Sequence, residues 1–206
     1  MTEENINLPY IPIVRKTGDE VFRRNGQNLG IKLLNFWQWS ASDLIGNAER
    51  GILAEYIVAS ALGITDGVQE GWTAYDLETP SGIKVEVKSC AYIQSWHQKT
   101  YSNICFSIRP STSWDSRTNE WGTEKKRQAD VYVFCILNHK DQDTLDPLNL
   151  DQWEFYVLPA SSLNSLSLTQ KTLGLSGLLK LNPCKATYEE IASCIEKLSG
   201  DIQIAT

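Results

Sequence analysis

Residues 72–94 read WTAYDLETPSGIKVEVKSCAYIQ, and the fold turns on how this stretch is read. Thr79-Pro80-Ser81-Gly82 combines a proline of fixed φ with a glycine free to take left-handed angles, the chemistry of a tight turn. Two β-type runs flank it, so a β-hairpin is expected. In the second run Ile83, Val85, Val87 and Ser89 take one face and Lys84, Glu86 and Lys88 the other, because successive strand side chains alternate. Glu86 and Lys88 therefore project together. The turn sends the chain back, which brings Asp76, near the end of the first run, beside Glu86. Two carboxylates next to one ammonium can bind a hard divalent cation and steer a water.

Working outward toward the N-terminus, a helix is expected over 42–62. Ser40 or Ser42 can cap it, Asp43 suits its positive end, and Gly63 is placed to stop it. Ile45, Ile52, Tyr56 and Ala59 share one stripe, expected to face the core. Glu55 sits beside that stripe, and a carboxylate at an apolar edge needs a partner. Residues 1–40 lack sustained periodicity and are expected to form an arm pinned by tryptophan packing.

Toward the C-terminus, Ile104, Phe106 and Ile108 alternate with polar positions as a strand does. DVYVFCIL at 130–137 is apolar without alternation, the pattern of a strand buried on both faces. A further strand is expected over 153–158, stopped by Pro159. A short helix over 161–166 and a clearer one over 187–198 follow. The second opens on a Thr187–Glu190 capping box, carries Ile191, Cys194, Ile195 and Leu198 on one stripe, and is expected to end at Gly200. This order implies an α/β (α+β) protein, and layer logic alone reaches no further. One domain over 1–206 is expected, with an arm at 1–40, a motif-bearing core at 43–137, and a strand and helix in 138–206 completing the fold.

Asp76 followed across a hairpin by Glu86-Val87-Lys88 resembles the PD-(D/E)xK nuclease superfamily, with Tyr75 where the motif's name has proline. The resemblance covers residues 43–137. It implies a restriction endonuclease-like fold, a mixed central sheet flanked by helices, and a metal-dependent phosphodiesterase, an endonuclease acting on DNA more readily than on RNA. It implies Mg²⁺ or Mn²⁺ held by Asp76, Glu86 and the carbonyl of Val87, with Glu55 binding a second ion or a metal water. Lys88 would position the attacking water, and Gln94 would hydrogen-bond that water or a phosphate. The catalytic set so implied is Asp76, Glu86, Lys88, Glu55 and Gln94. A homodimer would suit cutting of both strands, although no coiled coil or other pattern specifies one. The alternative is an inactive nuclease fold that binds DNA or serves a structural role, and the complete acidic and basic set speaks against it. A serine or cysteine hydrolase ranks low, since no recognisable motif pairs His97 or His139 with a nucleophile.

Composition bounds these readings. A chain of 206 residues, 42% apolar and 21% charged, can bury a sizeable core. No stretch approaches a membrane span, and the start MTEENINLPY lacks the basic and apolar regions of a signal peptide, so a cytoplasmic protein is the expectation. The five cysteines are odd in number and widely spaced, which favours reduced core thiols over disulfides. Only two histidines leave little for zinc. The net charge of -6 argues against a general polyanion binder, yet residues 109–127 hold 5 basic and 3 acidic side chains against 5 and 9 in 138–206. Counterion displacement is local. The polar stretch 110–128 is therefore expected to be a substrate-side loop, with Arg109, Arg117, Lys125, Lys126 and Arg127 as phosphate contacts.

Overall fold

The computed structural model describes residues 8–166 and 169–204. In chain order the elements are β1 (Val21–Arg24), β2 (Gln27–Lys32), α1 (Leu33–Ser40), α2 (Asn47–Ala61), β3 (Leu77–Glu78), β4 (Lys84–Ala91), β5 (Cys105–Ser107), β6 (Ser111–Asp115) and β7 (Glu120–Lys126). There follow β8 (Val131–Leu137), β9 (Trp153–Pro159), α3 (Ala160–Asn164), β10 (Thr172–Gly174), α4 (Leu175–Lys180), β11 (Cys184–Ala186) and α5 (Ile191–Ile204). Among the described residues no helix is long and apolar enough to cross a membrane.

A five-stranded mixed sheet in the order β11-β9-β8-β4-β3 is the centre of the fold. β8 is buried along its whole length, as its unbroken apolar run requires, and therefore sits between β4 and β9. Its pairing with β4 is parallel, Val85 opposite Val131 through Ala91 opposite Leu137; the other pairings in this sheet are antiparallel. A parallel pair needs a long crossover, and here residues 92–130 provide it, carrying β5, β6 and β7.

Side-chain alternation divides the core into two layers. Val85, Val87, Val131, Val133, Phe155 and Val157 face one side, where Ala54, Ile57 and Val58 of α2 and Ile191 and Ile195 of α5 close over them. Tyr132, Phe134, Ile136 and Leu158 face the other, against Ile104, Phe106 and Ile108 of the crossover and Leu163, Leu173 and Leu178. The mixed α/β expectation thus matches the architecture.

Several local expectations are corrected. α2 begins at Asn47 rather than near residue 42, because Asp43 folds back on Gly46, its Oδ1 accepting the Gly46 N–H at 3.0 Å, and Gly46 is the N-cap. Its buried face is Arg50, Ala54, Ile57, Val58 and Ala59, whereas Ile52 and Tyr56 are 52% and 59% exposed. Small side chains let the helix lie close on the sheet, so the bulky stripe turns out. Residues 21–40 form a hairpin and a helix rather than an irregular arm. The 110–128 stretch is the β6–β7 hairpin, with Trp114 opposite Trp121 and Asn119 in a left-handed conformation at the turn, φ 59°. α5 runs through Gly200, a residue a helix tolerates at about 1 kcal/mol. β5 pairs with β10 outside the main sheet. Finally, Cys184 and Cys194 form a disulfide where reduced thiols were expected. The antiparallel placement of β11 beside α5 brings two distant-looking cysteines together, which a count of cysteines does not register.

Candidate active site

The site forms where the sheet runs out of strands. β3 is two residues long and pairs only with Lys84 and Val85, so the β4 edge beyond Val85 has no neighbouring strand. The Thr79–Gly82 turn holds the hairpin: the Gly82 N–H donates to the Thr79 carbonyl at 2.8 Å and the Thr79 N–H to the Ile83 carbonyl at 3.0 Å. Gly82 has φ +83°. Asp76 precedes β3, its N–H bonded to the Val85 carbonyl at 3.1 Å, and its Oδ2 takes the Val87 N–H at 2.7 Å. A carboxylate thereby replaces the missing strand. Because the N–H and C=O of one strand residue point the same way, the Val87 carbonyl also faces this edge.

Glu86 and Lys88 leave β4 on the same face and pair at 2.5 Å. Their neighbours on β8 are Tyr132 and Phe134, both buried, so the pair rests against an apolar wall. Glu55 reaches the cluster from α2, with Gln69 Nε2 donating to its Oε2 at 3.2 Å. Asp76 and Glu55 both line a groove of about 350 Å³ between α2 and residues 64–73, whose other walls include the exposed Ile52 and Tyr56.

The electrostatics follow from burial and crowding. Burial lifts the Asp76 carboxyl above its ordinary range, against the pull of Lys88 and the Val87 N–H. Burial and then the charge of Asp76 lift Glu86, opposed by Lys88. Glu55 is likewise raised by burial and by Asp76, with Gln69 and Lys88 opposing. Burial works against the Lys88 ammonium, but Glu86, Asp76 and Glu55 outweigh it and hold its pKa above the usual lysine value. Three carboxylates thus share one cation, and their negative charge is under-compensated. Among the described residues no three acidic, histidine or cysteine side chains converge as a ready-made metal cage. What the cluster offers is two mutually repelling carboxylates and a carbonyl, hard oxygen donors few enough to leave water positions, which fits the octahedral and partly hydrated habit of Mg²⁺.

Gln94 stands apart from this cluster. It is buried, its Oε1 accepts from Arg50 Nη1 at 3.1 Å, and its Nε2 donates to the Ala91 carbonyl at 2.9 Å. Arg50, buried and in no ion pair among the described residues, gathers oxygens, taking also the Ile45 carbonyl at 2.7 Å and Asn47 Oδ1 at 2.6 Å. Gln94 is one of those acceptors and ties α2 to the end of β4. Arg127 also turns inward, donating from Nε to the Ile108 carbonyl and from Nη1 to Asn164 Oδ1, both at 3.1 Å. It anchors the base of the β6–β7 hairpin where a phosphate contact was expected. Arg109, Arg117, Lys125 and Lys126 are exposed, with Lys126 paired to Glu124 at 3.0 Å.

Residues 32–172 match the model of a family described as bacteriophage T4 endonuclease IV, more than half of the chain. The chain belongs to this endonuclease family. No individual curated protein matches it. The family match spans Glu55, Asp76, Glu86 and Lys88 together with the whole crossover, so the cluster lies inside the segment that defines this nuclease family. Two neighbours of the cluster went unread in the sequence. Gln69, the partner of Glu55, sits in a segment without periodicity. Tyr132, whose hydroxyl is pushed up by burial and by Glu86, looked like an ordinary core aromatic.

Proposed function

We propose that this endonuclease hydrolyses DNA phosphodiester bonds at the Asp76–Glu86–Lys88 cluster, in the manner of the PD-(D/E)xK enzymes and with Mg²⁺ or Mn²⁺. The observation that carries the reading is the open β4 edge, where Asp76 takes the Val87 N–H and faces Glu86 and Lys88. Asp76, Glu86 and the Val87 carbonyl would hold the ion, and Glu55 would hold a second ion or a water. A bound divalent ion supplies charge neutralisation at the phosphate and a more acidic water. Burial works against the Lys88 ammonium, and the carboxylates of Glu86, Asp76 and Glu55 favour it, so its pKa lies above the usual lysine value. The role of Lys88 is to orient the attacking water and to favour the hydroxide through positive charge. The exposed Arg109, Arg117, Lys125 and Lys126 would meet the phosphate backbone, and Tyr132 and Phe134 keep the inner wall dry, which strengthens each charge interaction.

The test is cleavage of supercoiled, linear, single-stranded and branched DNA and of RNA with Mg²⁺, Mn²⁺ or chelator. Parent protein is expected to cut DNA only with metal, and Glu86→Ala and Lys88→Ala to lose on the order of a hundredfold or more in rate. If either variant cuts as fast as the parent, the assignment is wrong. Persistence of cutting in chelator would remove the metal.

A further inference from the structure

A second concavity adjoins the cluster. It lies between residues 70–78 and the β6–β7 hairpin, with a volume of about 620 Å³, and Trp72, Tyr75, Trp114, Arg117 and Trp121 are among its walls. The three indoles touch in series: Trp72 meets Trp114 edge-on at 6.0 Å and 82°, and Trp114 meets Trp121 at 6.3 Å and 40°. The outer two are nevertheless 78% and 69% exposed. Surface tryptophans in such a cluster leave flat apolar area in water, which marks a contact surface rather than a core.

The arrangement is held in place. Trp114 Nε1 donates to Asn119 Oδ1 at 3.2 Å across the hairpin turn, so the middle ring is fixed and the outer rings pack against it. Asp115 Oδ1 takes the Arg117 N–H at 2.8 Å, which shapes the turn beside it. Gly122 leaves the strands room to close: a Cβ there would stand 2.3 Å from Ser113 Oγ. The groove is tethered to the cluster as well. Trp72 is four positions from Asp76 and Tyr75 is next to it, so even a fully extended chain keeps Trp72 within about 14 Å of Asp76.

The rim carries Glu70, Glu78, Asp115 and Glu120 against the single cation Arg117. That excess of carboxylate repels phosphate. What fits is an uncharged flat ring with polar edges. We propose that Trp72, Trp114 and Trp121 form a stacking site for an unstacked nucleobase of the substrate, beside the scissile phosphate at Asp76, with the backbone following Arg109, Lys125 and Lys126, which do not line the groove. The proposal rests on the nuclease reading above and adds the groups that position the strand.

Binding of a short single-stranded oligodeoxynucleotide of mixed sequence, followed in chelator by tryptophan fluorescence, tests it without requiring cleavage. A matched series carries one abasic position moved along the strand. Trp72→Ala and Trp121→Ala are expected to weaken binding about five- to a hundredfold, the span of one base–aromatic stack. Trp121→Phe is expected to restore most of the loss. The parent should bind one abasic member of the series more weakly than the rest, and Trp121→Ala should not distinguish it. Both side chains are exposed, so these variants keep the core intact. Variants that bind as the parent does, an abasic series bound uniformly by the parent, or no binding by the parent would each overturn the stacking site. If those failures occur while Glu86→Ala still abolishes cleavage, the nuclease assignment stands alone. Tryptophan-dependent binding with no cleavage by the parent would retain the stacking site and sink the assignment of hydrolysis.

Discussion

Asp76 and Glu86 are held above their ordinary carboxyl range by burial and proximity, and this has a thermodynamic sign. A group whose pKa is raised on folding binds more protons in the folded state, so its contribution to stability falls as pH rises from the unfolded value through the folded one. At neutral pH the metal-free charges of Asp76 and Glu86 therefore cost stability, while Lys88, raised by the same carboxylates, gains it. Asp76→Asn, which keeps an oxygen for the Val87 N–H, is expected to raise the melting temperature of the metal-free protein at neutral pH. The gain should shrink as pH approaches the ordinary carboxyl value of 3.8. Thermal denaturation with chelator across pH checks this, and a lower melting temperature at neutral pH would show that the charge is not the costly feature. As neighbours at one sheet edge, Asp76, Glu86 and Lys88 were legible in the sequence because strand alternation has a period of two and the turn between them is chemically marked. Gln94 and Arg127 were not, since what fixes them is a partner on another element: Arg50 for the first, the Ile108 carbonyl and Asn164 for the second. Spacing along one strand carries no information about such partners.

Among the elements, the 77–91 hairpin has the clearest sequence record and the sharpest dependence on one backbone angle. Gly82 sits at φ +83°, where a side chain costs about 1–2 kcal/mol. Gly82→Ala is expected to lower stability by that amount, a fall of roughly 2–8 °C in melting temperature for a domain of this size. An unchanged melting temperature would mean that the turn relaxes to another form. α2 was legible as a helix but not in its orientation, because apolar residues lie on both sides and the choice falls to whichever face packs closest. Ala54, Ile57, Val58 and Ala59 take the sheet, and Ile52 and Tyr56 are left to line the groove beside Glu55. The β6–β7 hairpin carries the sequence pattern of a loop because its strands are polar and largely exposed. Trp114 opposite Trp121 and the left-handed Asn119 at the turn were its only local marks.

At the level of the whole molecule, hydrophobic patterning marked the main strands, the resemblance implied their mixed sheet, and long-range closure completed it in ways patterning could not. The buried run of β8 fixed the middle of the sheet, whereas β11 and β10 are three-residue strands too short to stand out. The disulfide belongs to this scale, for it ties the β11 edge to α5 over a sequence separation of 10. Cys184→Ser with Cys194→Ser is expected to destabilise the oxidised protein by about 2–3 kcal/mol, from the extra freedom of the unfolded chain. Urea denaturation would reveal it as a lower midpoint, and a midpoint equal to the parent's would show that the link adds nothing.

The parallel β4–β8 pair has one more consequence. Its first link, Lys84 N–H to Asp130 Oδ2, joins residues 46 positions apart, and contacts that close long loops form late and slowly. The apolar wall behind Glu86 and Lys88 comes from β8, so the cluster has no ordered surroundings until that closure is made. A chain still emerging from the ribosome, or trapped before the crossover docks, holds the acidic residues without their arrangement. With hydrolysis at the proposed cluster, the topology would withhold cutting until synthesis has passed β8 and the sheet has closed.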